Sequence, residues 1–278
     1  MHPERSSLAS IVLALAVVIA TAGPVLAVAP SNDDVADAIQ VTGLPFESSL
    51  DLADATVEEG EVFGCANSDR ADRSAWYVWT VPDDGTMRVV ITGAMGDTVA
   101  GIFGPYAELP AGLPNGADLR WCVNGVGDEH NLVEAVGGGE TFLFQLSGVS
   151  TSDTVASIRI EFEGSAQPQI AIAGTGGVSR IAGFARVSVG IACRYERPFT
   201  GWVSINQRLT RTTMARGTGE VSGTCTDEMT WYDVYVGPQD NVPFGSGWAE
   251  VDLYLEVYGG LRTDAAYTVT GVRLRNER

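Results

Sequence analysis

Lysine is missing from this 278-residue sequence, so all 17 basic residues are arginines. Against them stand 35 acidic residues, which gives a net charge of −18. A chain this acidic repels nucleic-acid phosphates. The composition therefore argues against a nucleic-acid partner and favours cations and neutral partners instead.

The motifs that usually carry catalysis are also missing. The sequence has no Gly-x-Ser-x-Gly nucleophile elbow, no His-Glu-x-x-His zinc site and no phosphate-binding loop. Apart from His2, the one histidine is His130, in the polar stretch Asp-Glu-His-Asn at 128–131, which is typical of a surface side chain rather than a catalytic base. A carboxylate pair of the glycosidase kind stays open, because so many acidic residues offer many pairs. We predict a protein without catalytic activity.

Long apolar runs are limited to the N-terminus. Residues 8–22 follow Arg5 and lead to a small-residue site at 25–27, which is the pattern of a secretory signal peptide spanning residues 1–27. The alternative is a retained membrane anchor, but the run is short for a span of about 20 residues and is broken by Thr21, Gly23 and Pro24. We expect a mature chain from Val28 with no membrane span and a secreted, extracellular location.

Helical periodicity is nearly absent as well. Apolar and polar residues alternate instead, as in Ile-Arg-Ile-Glu-Phe-Glu at 158–163, and glycine-rich breaks separate the alternating segments. One short helical turn is expected within residues 33–39. The pattern predicts an all-β protein made of β-sandwiches.

Charge divides the mature chain in two. Residues 28–164 hold 23 acidic residues and 5 arginines, whereas residues 165–278 hold 11 of each. The segment at 164–168, Gly-Ser-Ala-Gln-Pro, is small and polar and suits a boundary. We predict two domains, at 28–164 and at 165–278, the second with about seven strands.

Five arginines cluster in the second predicted domain: Arg194, Arg197, Arg208, Arg211 and Arg216. Three interpretations are open. They dock onto the acidic first domain, they grip an anionic polymer, or they form a solvated strand face.

The four cysteines fall two in each predicted domain. In an exported chain disulfides persist, and pairing within each domain is the simplest of three connectivities, joining Cys65 to Cys122 and Cys193 to Cys225. Neither pair has the spacing of a zinc knuckle or a redox motif, so both are predicted to be structural.

The strand predicted at 248–258 places large aromatic side chains on a wet face. Its alternation buries one set and leaves Trp248, Tyr254 and Tyr258 among carboxylates on the other side. Trp231 and Tyr235 repeat the mixture on another strand. Two such strands side by side would form an aromatic platform for sugar rings or peptide. The alternative is that these rings shield the sheet or the domain interface.

Several blocks in the first predicted domain occur together in a known order. They are Ser-Asn-Asp-Asp at 31–34, Ala-Thr-Val-Glu-Glu-Gly-Glu at 55–61, Ala-Trp-Tyr-Val-Trp-Thr-Val-Pro at 75–82, Gly-Asp-Thr-Val at 96–99, and the Gly-Gly-Glu-Thr-Phe segment that begins at 138. Residues 31–164 thereby resemble bacterial pre-peptidase C-terminal modules, which are related to collagen-binding domains. The resemblance implies a jelly-roll sandwich that binds or assists and does not catalyse.

The resemblance also implies a calcium site at the N-terminal edge of this module. The matching positions are Asn32, Asp33 and Asp34, with Asp51 and Asp54 as partners. Alternatively, Asn32 or Asp33 caps a helical turn. The chain departs from the family at Cys-Val-Asn-Gly, residues 122–125, where an Asn-Asp-Asp block is often found. Calcium is the only cofactor expected.

Residues 168–278 resemble immunoglobulin-like domains of secreted actinobacterial proteins, because Cys193 is followed by Trp202. The departure is Cys225, which follows Cys193 too closely for the usual bridge between sheets.

The sequence as a whole predicts a secreted, non-catalytic binding or adhesion protein of the bacterial exterior. Its partner would be an extracellular polysaccharide or protein. The alternatives are a carbohydrate-active β-sandwich enzyme and an accessory protein of a secreted protease.

Overall fold

The computed structural model describes residues 29–63, 73–93, 98–125, 129–148 and 155–277. The predicted signal peptide and its cleavage point lie outside these ranges. Within them the chain forms 16 strands and two short 3-10 helices, at Val35–Asp37 and Gly116–Asp118. The predicted all-β fold class is therefore confirmed. Neither helix comes near the length and apolar character that a membrane crossing would need, and the described ranges contain no other candidate.

The first nine strands form two sheets that we call the sandwich. The strands are β1 (Ile39–Gln40), β2 (Phe46–Asp51), β3 (Arg73–Thr80), β4 (Gly85–Gly93), β5 (Thr98–Tyr106), β6 (Leu119–Gly125), β7 (His130–Val136), β8 (Thr141–Gly148) and β9 (Val155–Gly164). One sheet has the order β2-β9-β4-β7 and the other β1-β3-β8-β5-β6. Strands β2 to β9 thus divide into two four-stranded sheets in the order of a jelly roll, and β1 extends one of them by pairing parallel to β3.

The sheet containing β3 is buried on both faces. Tyr77 and Trp79 point into the core between the two sheets. Trp76 and Val78 point the other way, into a smaller cluster closed by the segments around the two 3-10 helices. Burial of both faces explains why β3 reads as a nearly continuous apolar run instead of an alternating one.

The remaining seven strands form one closed sheet that we call the barrel. They are β10 (Gln169–Val178), β11 (Ala185–Ala192), β12 (Arg197–Arg208), β13 (Met214–Cys225), β14 (Thr230–Pro238), β15 (Gly247–Tyr258) and β16 (Thr263–Asn276). Their order is β10-β11-β14-β13-β12-β15-β16, and β10 pairs parallel to β16 to close the ring. The predicted number of strands is found, in one barrel-like sheet.

The apolar residues of the alternating segments fill the barrel core, as the sequence indicated. The inward residues of β15 are all buried: Ala249, Val251, Leu253, Leu255 and Val257. Cys193 and Cys225 form a disulfide inside this core, as predicted. The second predicted bridge involves Cys65, which lies outside the described residues, while Cys122 is disulfide-bonded.

Charged side chains of the sandwich and the barrel meet at the end of β9. Glu163 forms an ion pair with Arg197 at 3.0 Å and accepts a hydrogen bond from the backbone N–H of Gly260 at 3.0 Å. Asp83 forms an ion pair with Arg194. Two of the five clustered arginines thus dock against the acidic half. The other three, Arg208, Arg211 and Arg216, are exposed, and the division into two domains at residue 164 stays a prediction.

Candidate binding face

Three aromatic side chains stand in a row on the outside of the barrel. The antiparallel register places Tyr254 of β15 directly between Trp202 of β12 and Tyr267 of β16. Residues paired in this way have Cβ atoms about 5 Å apart, so their side chains form one surface. We call these three residues the aromatic row.

The aromatic row is open to solvent. Trp202, Tyr254 and Tyr267 are exposed by 39, 38 and 63 %. The rings of Trp202 and Tyr254 lie 5.8 Å apart, centroid to centroid, and their planes are within 23° of parallel. The row therefore presents a contiguous aromatic surface, a feature that usually marks an interaction site.

Carboxylates hold the tyrosine hydroxyls of this face. Tyr267 donates its hydroxyl proton to Asp252 Oδ1 at 2.8 Å. Tyr254 and Tyr258 donate theirs to the two oxygens of Glu256, each at 2.9 Å. These hydrogen bonds to carboxylates raise the pKa of all three phenols, because a phenolate would lose the bond and face a negative charge.

Trp248 lies further along the same face. Its indole passes over Gly271 on β16, where a Cβ would sit 3.7 Å from the ring. Beside it runs an open groove of about 550 Å³, whose lining includes Asn206, Arg208 and Glu250. Trp248 is six residues from Tyr254 on β15, which corresponds to about 20 Å along a strand. The groove therefore extends the face beyond the aromatic row.

Two of the predicted platform residues lie elsewhere. Trp231 and Tyr235 are on β14, and β13 and β12 separate β14 from β15 in the sheet order. The prediction that these strands lie side by side is therefore wrong. Trp231 covers Gly190 of β11, the residue paired with it. Tyr254, Tyr258 and Trp248 do share one face, and the strand neighbours of Tyr254 there are Trp202 and Tyr267.

Sequence reasoning missed Trp202 and Tyr267. The resemblance to immunoglobulin-like domains implied Trp202 as a core residue, and this was wrong. Trp202 lies between two inward residues, Gly201 and Val203, and its own side chain is exposed. The register that brings it beside Tyr254 spans 52 residues of chain. No local pattern encodes such a pairing, so the row could be recognised only from the structure.

The residues predicted to bind calcium are mostly committed to other contacts. Asn32 is buried, and its Nδ2 donates to the backbone oxygen of Trp76 at 2.9 Å. Asp33 accepts from both the N–H and the hydroxyl of Thr56, each at 2.6 Å. Neither Asn32 nor Asp33 caps the first 3-10 helix, so that alternative is wrong.

The N-cap position itself belongs to Asp34, whose side chain makes no capping bond. The first helical N–H, that of Val35, donates to Glu58 Oε2 at 2.7 Å instead. Asp51 accepts from the N–H of Ala53 at 2.9 Å, and Asp54 is exposed. The described residues contain no group of three His, Cys, Asp or Glu side chains arranged to hold a metal ion. Calcium binding stays a prediction from the resemblance.

No protein-family model and no curated protein matches this chain. Among solved structures, it is similar to Ruminococcus gnavus β-glucuronidase at 7 % identity and a TM-score of 0.26, over 73 % of this chain and 36 % of that one. It is also similar to β-glucuronidase 3 of Bacteroides uniformis, at 12 % identity and a TM-score of 0.26, over 72 % of this chain and 27 % of that one.

A third similar structure is a family 2 β-galacturonidase from Eisenbergiella tayi bound to glycerol, at 12 % identity and a TM-score of 0.24, over 82 % of this chain and 43 % of that one. This chain therefore spans less than half the length of each of these proteins. TM-scores this low support no conclusion about fold or activity.

Proposed function

We propose that this protein is a secreted, non-catalytic binding protein that holds an extracellular polysaccharide on the aromatic face of its barrel. The observation that carries the proposal is the exposed row of Trp202, Tyr254 and Tyr267. Sugar rings present flat C–H faces that pack on aromatic rings, and a strip of adjacent rings suits a linear polymer.

The polar groups of the row support a ligand that hydrogen-bonds at its edges. Asp252 and Glu256 each keep free acceptor sites after binding the tyrosine hydroxyls, since a carboxylate offers about four. Aromatic surface flanked by a few fixed polar groups is the usual composition of a site that orients a small-molecule or glycan unit. A flat protein partner would need a larger apolar core than this row supplies.

Catalysis is not part of the proposal, although one pocket does contain two carboxylates. Glu161 and Glu163 line an open pocket between the sandwich and the barrel. Glu161 is held by Arg88 and Arg159, and Glu163 by Arg197 and two backbone amides. A glycosidase needs one of its two carboxyl groups to carry a proton. Both carboxyl groups instead contact arginine guanidinium groups in this structure.

The proposal also includes secretion and the relation of the sandwich to pre-peptidase C-terminal modules. A disulfide in the barrel core suits an oxidising compartment. In this proposal the sandwich, with its resemblance to pre-peptidase C-terminal modules, carries or spaces the barrel at the cell exterior. If the protein assists a secreted protease, the same face would bind the polymer that surrounds the substrate of that protease.

The proposal is tested by depletion of the protein from solution onto insoluble polysaccharides, including cellulose, chitin and cell-wall material. The double substitution Trp202→Ala with Tyr254→Ala should lower the affinity for the bound glycan about tenfold or more, because each aromatic contact contributes about 0.5–1.5 kcal/mol. The matched control is Trp231→Ala with Tyr235→Ala, the same residue types exposed on β14.

An unchanged thermal midpoint shows that each variant is folded. Binding by the Trp202→Ala, Tyr254→Ala protein equal to that of the wild type would refute the aromatic row as the binding site. Equal losses in both double variants would show that any exposed aromatic pair suffices and would refute it too.

A further inference from the structure

The charges around the aromatic row are of one sign. The patch around the row consists of the residues paired with Trp202, Tyr254 or Tyr267 and of the next outward-facing residue on each side of them. These residues belong to β12, β13, β15 and β16. Those that carry charge are Glu220, opposite Trp202 on β13, and Asp252 and Glu256, on either side of Tyr254. The other outward residues of this patch are Thr200, Ser204, Thr218, Ser222, Ala265 and Val269. Arg208, Arg216 and Arg273 come further along these strands, near Trp248.

Apart from the indole N–H of Trp202, which can donate, the hydrogen-bonding capacity of the row and its carboxylates is also one-sided. A tyrosine hydroxyl has one proton, and Tyr254 and Tyr267 give theirs to Glu256 and Asp252. Toward a ligand, these hydroxyls and the carboxylates can then only accept. The ligand must supply the donors, and an ammonium group supplies three together with a positive charge.

The rings themselves add to this preference. A cation over the face of a tryptophan or tyrosine is attracted by the ring quadrupole, and at a solvent-exposed site this is worth about 0.5–1 kcal/mol. The raised pKa of the exposed phenols comes first from their hydrogen bonds to Glu256 and Asp252 and then from the negative charge of the same carboxylates. Acidic polysaccharides are repelled by the same charges.

We propose that the aromatic row selects glycans that carry free amino groups, with sugar rings packed on Trp202 and Tyr254 and the ammonium groups received by Asp252 and Glu256. This inference rests on the proposed function and adds the chemical class of the ligand. Glu220 extends the anionic border on the β13 side. An N-acetylated sugar has the same ring but lacks the charge, so it loses the part of the interaction that the carboxylates provide.

Calorimetric titration of the full chain with two oligosaccharides of equal length tests the inference. One is a β-1,4-linked hexamer of glucosamine, and the other is its fully N-acetylated counterpart. At pH 6 we expect the amino hexamer to bind about tenfold more tightly, the sum of a cation–ring contact and a charge-assisted hydrogen bond. The substitution Asp252→Asn with Glu256→Gln should remove this difference, while binding of the N-acetylated hexamer is unchanged.

The matched control is Asp227→Asn with Glu228→Gln. It removes the same two charges from an exposed turn between β13 and β14. Equal losses in the two variants would mean general attraction of a polycation to an acidic protein, and would overturn the inference. Equal affinity of the wild type for both hexamers, or binding of neither, would overturn it as well.

The aromatic variant separates this inference from the proposed function. If Trp202→Ala with Tyr254→Ala lowers binding of both hexamers and the carboxamide variant changes neither, the row binds glycans without selecting amines. If the aromatic variant binds both hexamers as the wild type does, the proposed function fails together with the inference.

Discussion

At the scale of single residues, the acidic groups of this protein act mainly as hydrogen-bond acceptors for their neighbours. Asp33 holds Thr56, Glu58 holds the start of a 3-10 helix, and Asp252 and Glu256 hold tyrosine hydroxyls. Each bond orders a side chain that would otherwise sample several rotamers. The side chains of the exposed tyrosines are therefore held in one orientation before a ligand binds.

These tyrosine bonds have a spectroscopic consequence. Glu256→Gln should lower the pKa of both Tyr254 and Tyr258, and Asp252→Asn should lower that of Tyr267, because an amide cannot repel a phenolate. Ultraviolet titration of tyrosinate absorbance measures the change. Asp227→Asn, far from these tyrosines, is the control and should leave the titration curve as in the wild type. Curves identical in all four proteins would contradict the hydrogen bonds.

Glu61 is a carboxylate in the opposite situation, because it is half-buried in the sandwich. It accepts from Gln145 Nε2 at 2.8 Å, and burial raises its pKa above the ordinary 4.5. The folded protein therefore favours the protonated acid more than the unfolded chain does. Its contribution to stability is complete below pH 4.5 and is lost as pH rises through the raised pKa.

The expected result concerns Glu61→Gln, which keeps the shape of the side chain without its charge. As pH rises from about 4 to 7, the free energy of unfolding of the wild type should fall relative to that of this variant. Urea denaturation at a series of pH values measures the difference. Glu59→Gln, at an exposed position, should track the wild type. A difference independent of pH would show that burial does not perturb Glu61.

At the scale of strands, alternation determined which residues share a face but not which strands are neighbours. The inward residues of β15 were correctly predicted, because a period of two is a property of the strand itself. Strand order depends on pairings across long stretches of chain, such as Trp202 with Tyr254, and no local pattern contains it. The misplacement of Trp231 and Tyr235 has this cause.

The calcium residues were chosen from a resemblance in sequence blocks, which does not distinguish a metal ligand from a hydrogen-bond acceptor. An aspartate near the edge of a sheet serves equally well as an acceptor for a backbone N–H, as Asp33 and Asp51 do. The disulfide was simpler to predict, since two cysteines 32 residues apart in one β domain have few other roles.

That disulfide gives a prediction at this scale. It ties the residue after β11 to the last residue of β13, two strands that are not neighbours in the barrel. Replacing both Cys193 and Cys225 by Ala should lower the free energy of unfolding by about 3–4 kcal/mol, the chain-entropy value for a loop of this size. Urea denaturation measures it, with non-reducing peptide mapping to show the bridge in the wild type. A loss below about 0.5 kcal/mol, as is usual for surface substitutions, would contradict a structural role.

At the scale of the whole molecule, the two halves differ in charge, and oppositely charged side chains form ion pairs at their junction. Arg194 and Arg197 of the barrel meet Asp83 and Glu163 of the sandwich. The side chain of Glu163 is only 11 % exposed, so its ion pair is shielded from solvent in a way that surface pairs are not. These ion pairs join the barrel to the sandwich.

Glu163→Ala should therefore destabilise the molecule and uncouple its halves. Arg197 and two backbone N–H groups would lose their acceptor, at a cost of about 2–4 kcal/mol. Denaturation followed by fluorescence should change from one transition to two. Glu47→Ala removes a carboxylate of the sandwich that is 66 % exposed and paired with Arg159, and should cost less than about 1 kcal/mol. Equal effects of the two substitutions would contradict the coupling.

In each half, a strand near its beginning pairs with its last strand. In the sandwich β2 pairs with β9, and in the barrel β10 pairs with β16. Neither pairing can form until the last strand of its half has been synthesised, roughly a hundred residues after its partner strand. Contacts this distant in sequence form slowly. Each half therefore keeps an unpaired strand edge until its last strand is available.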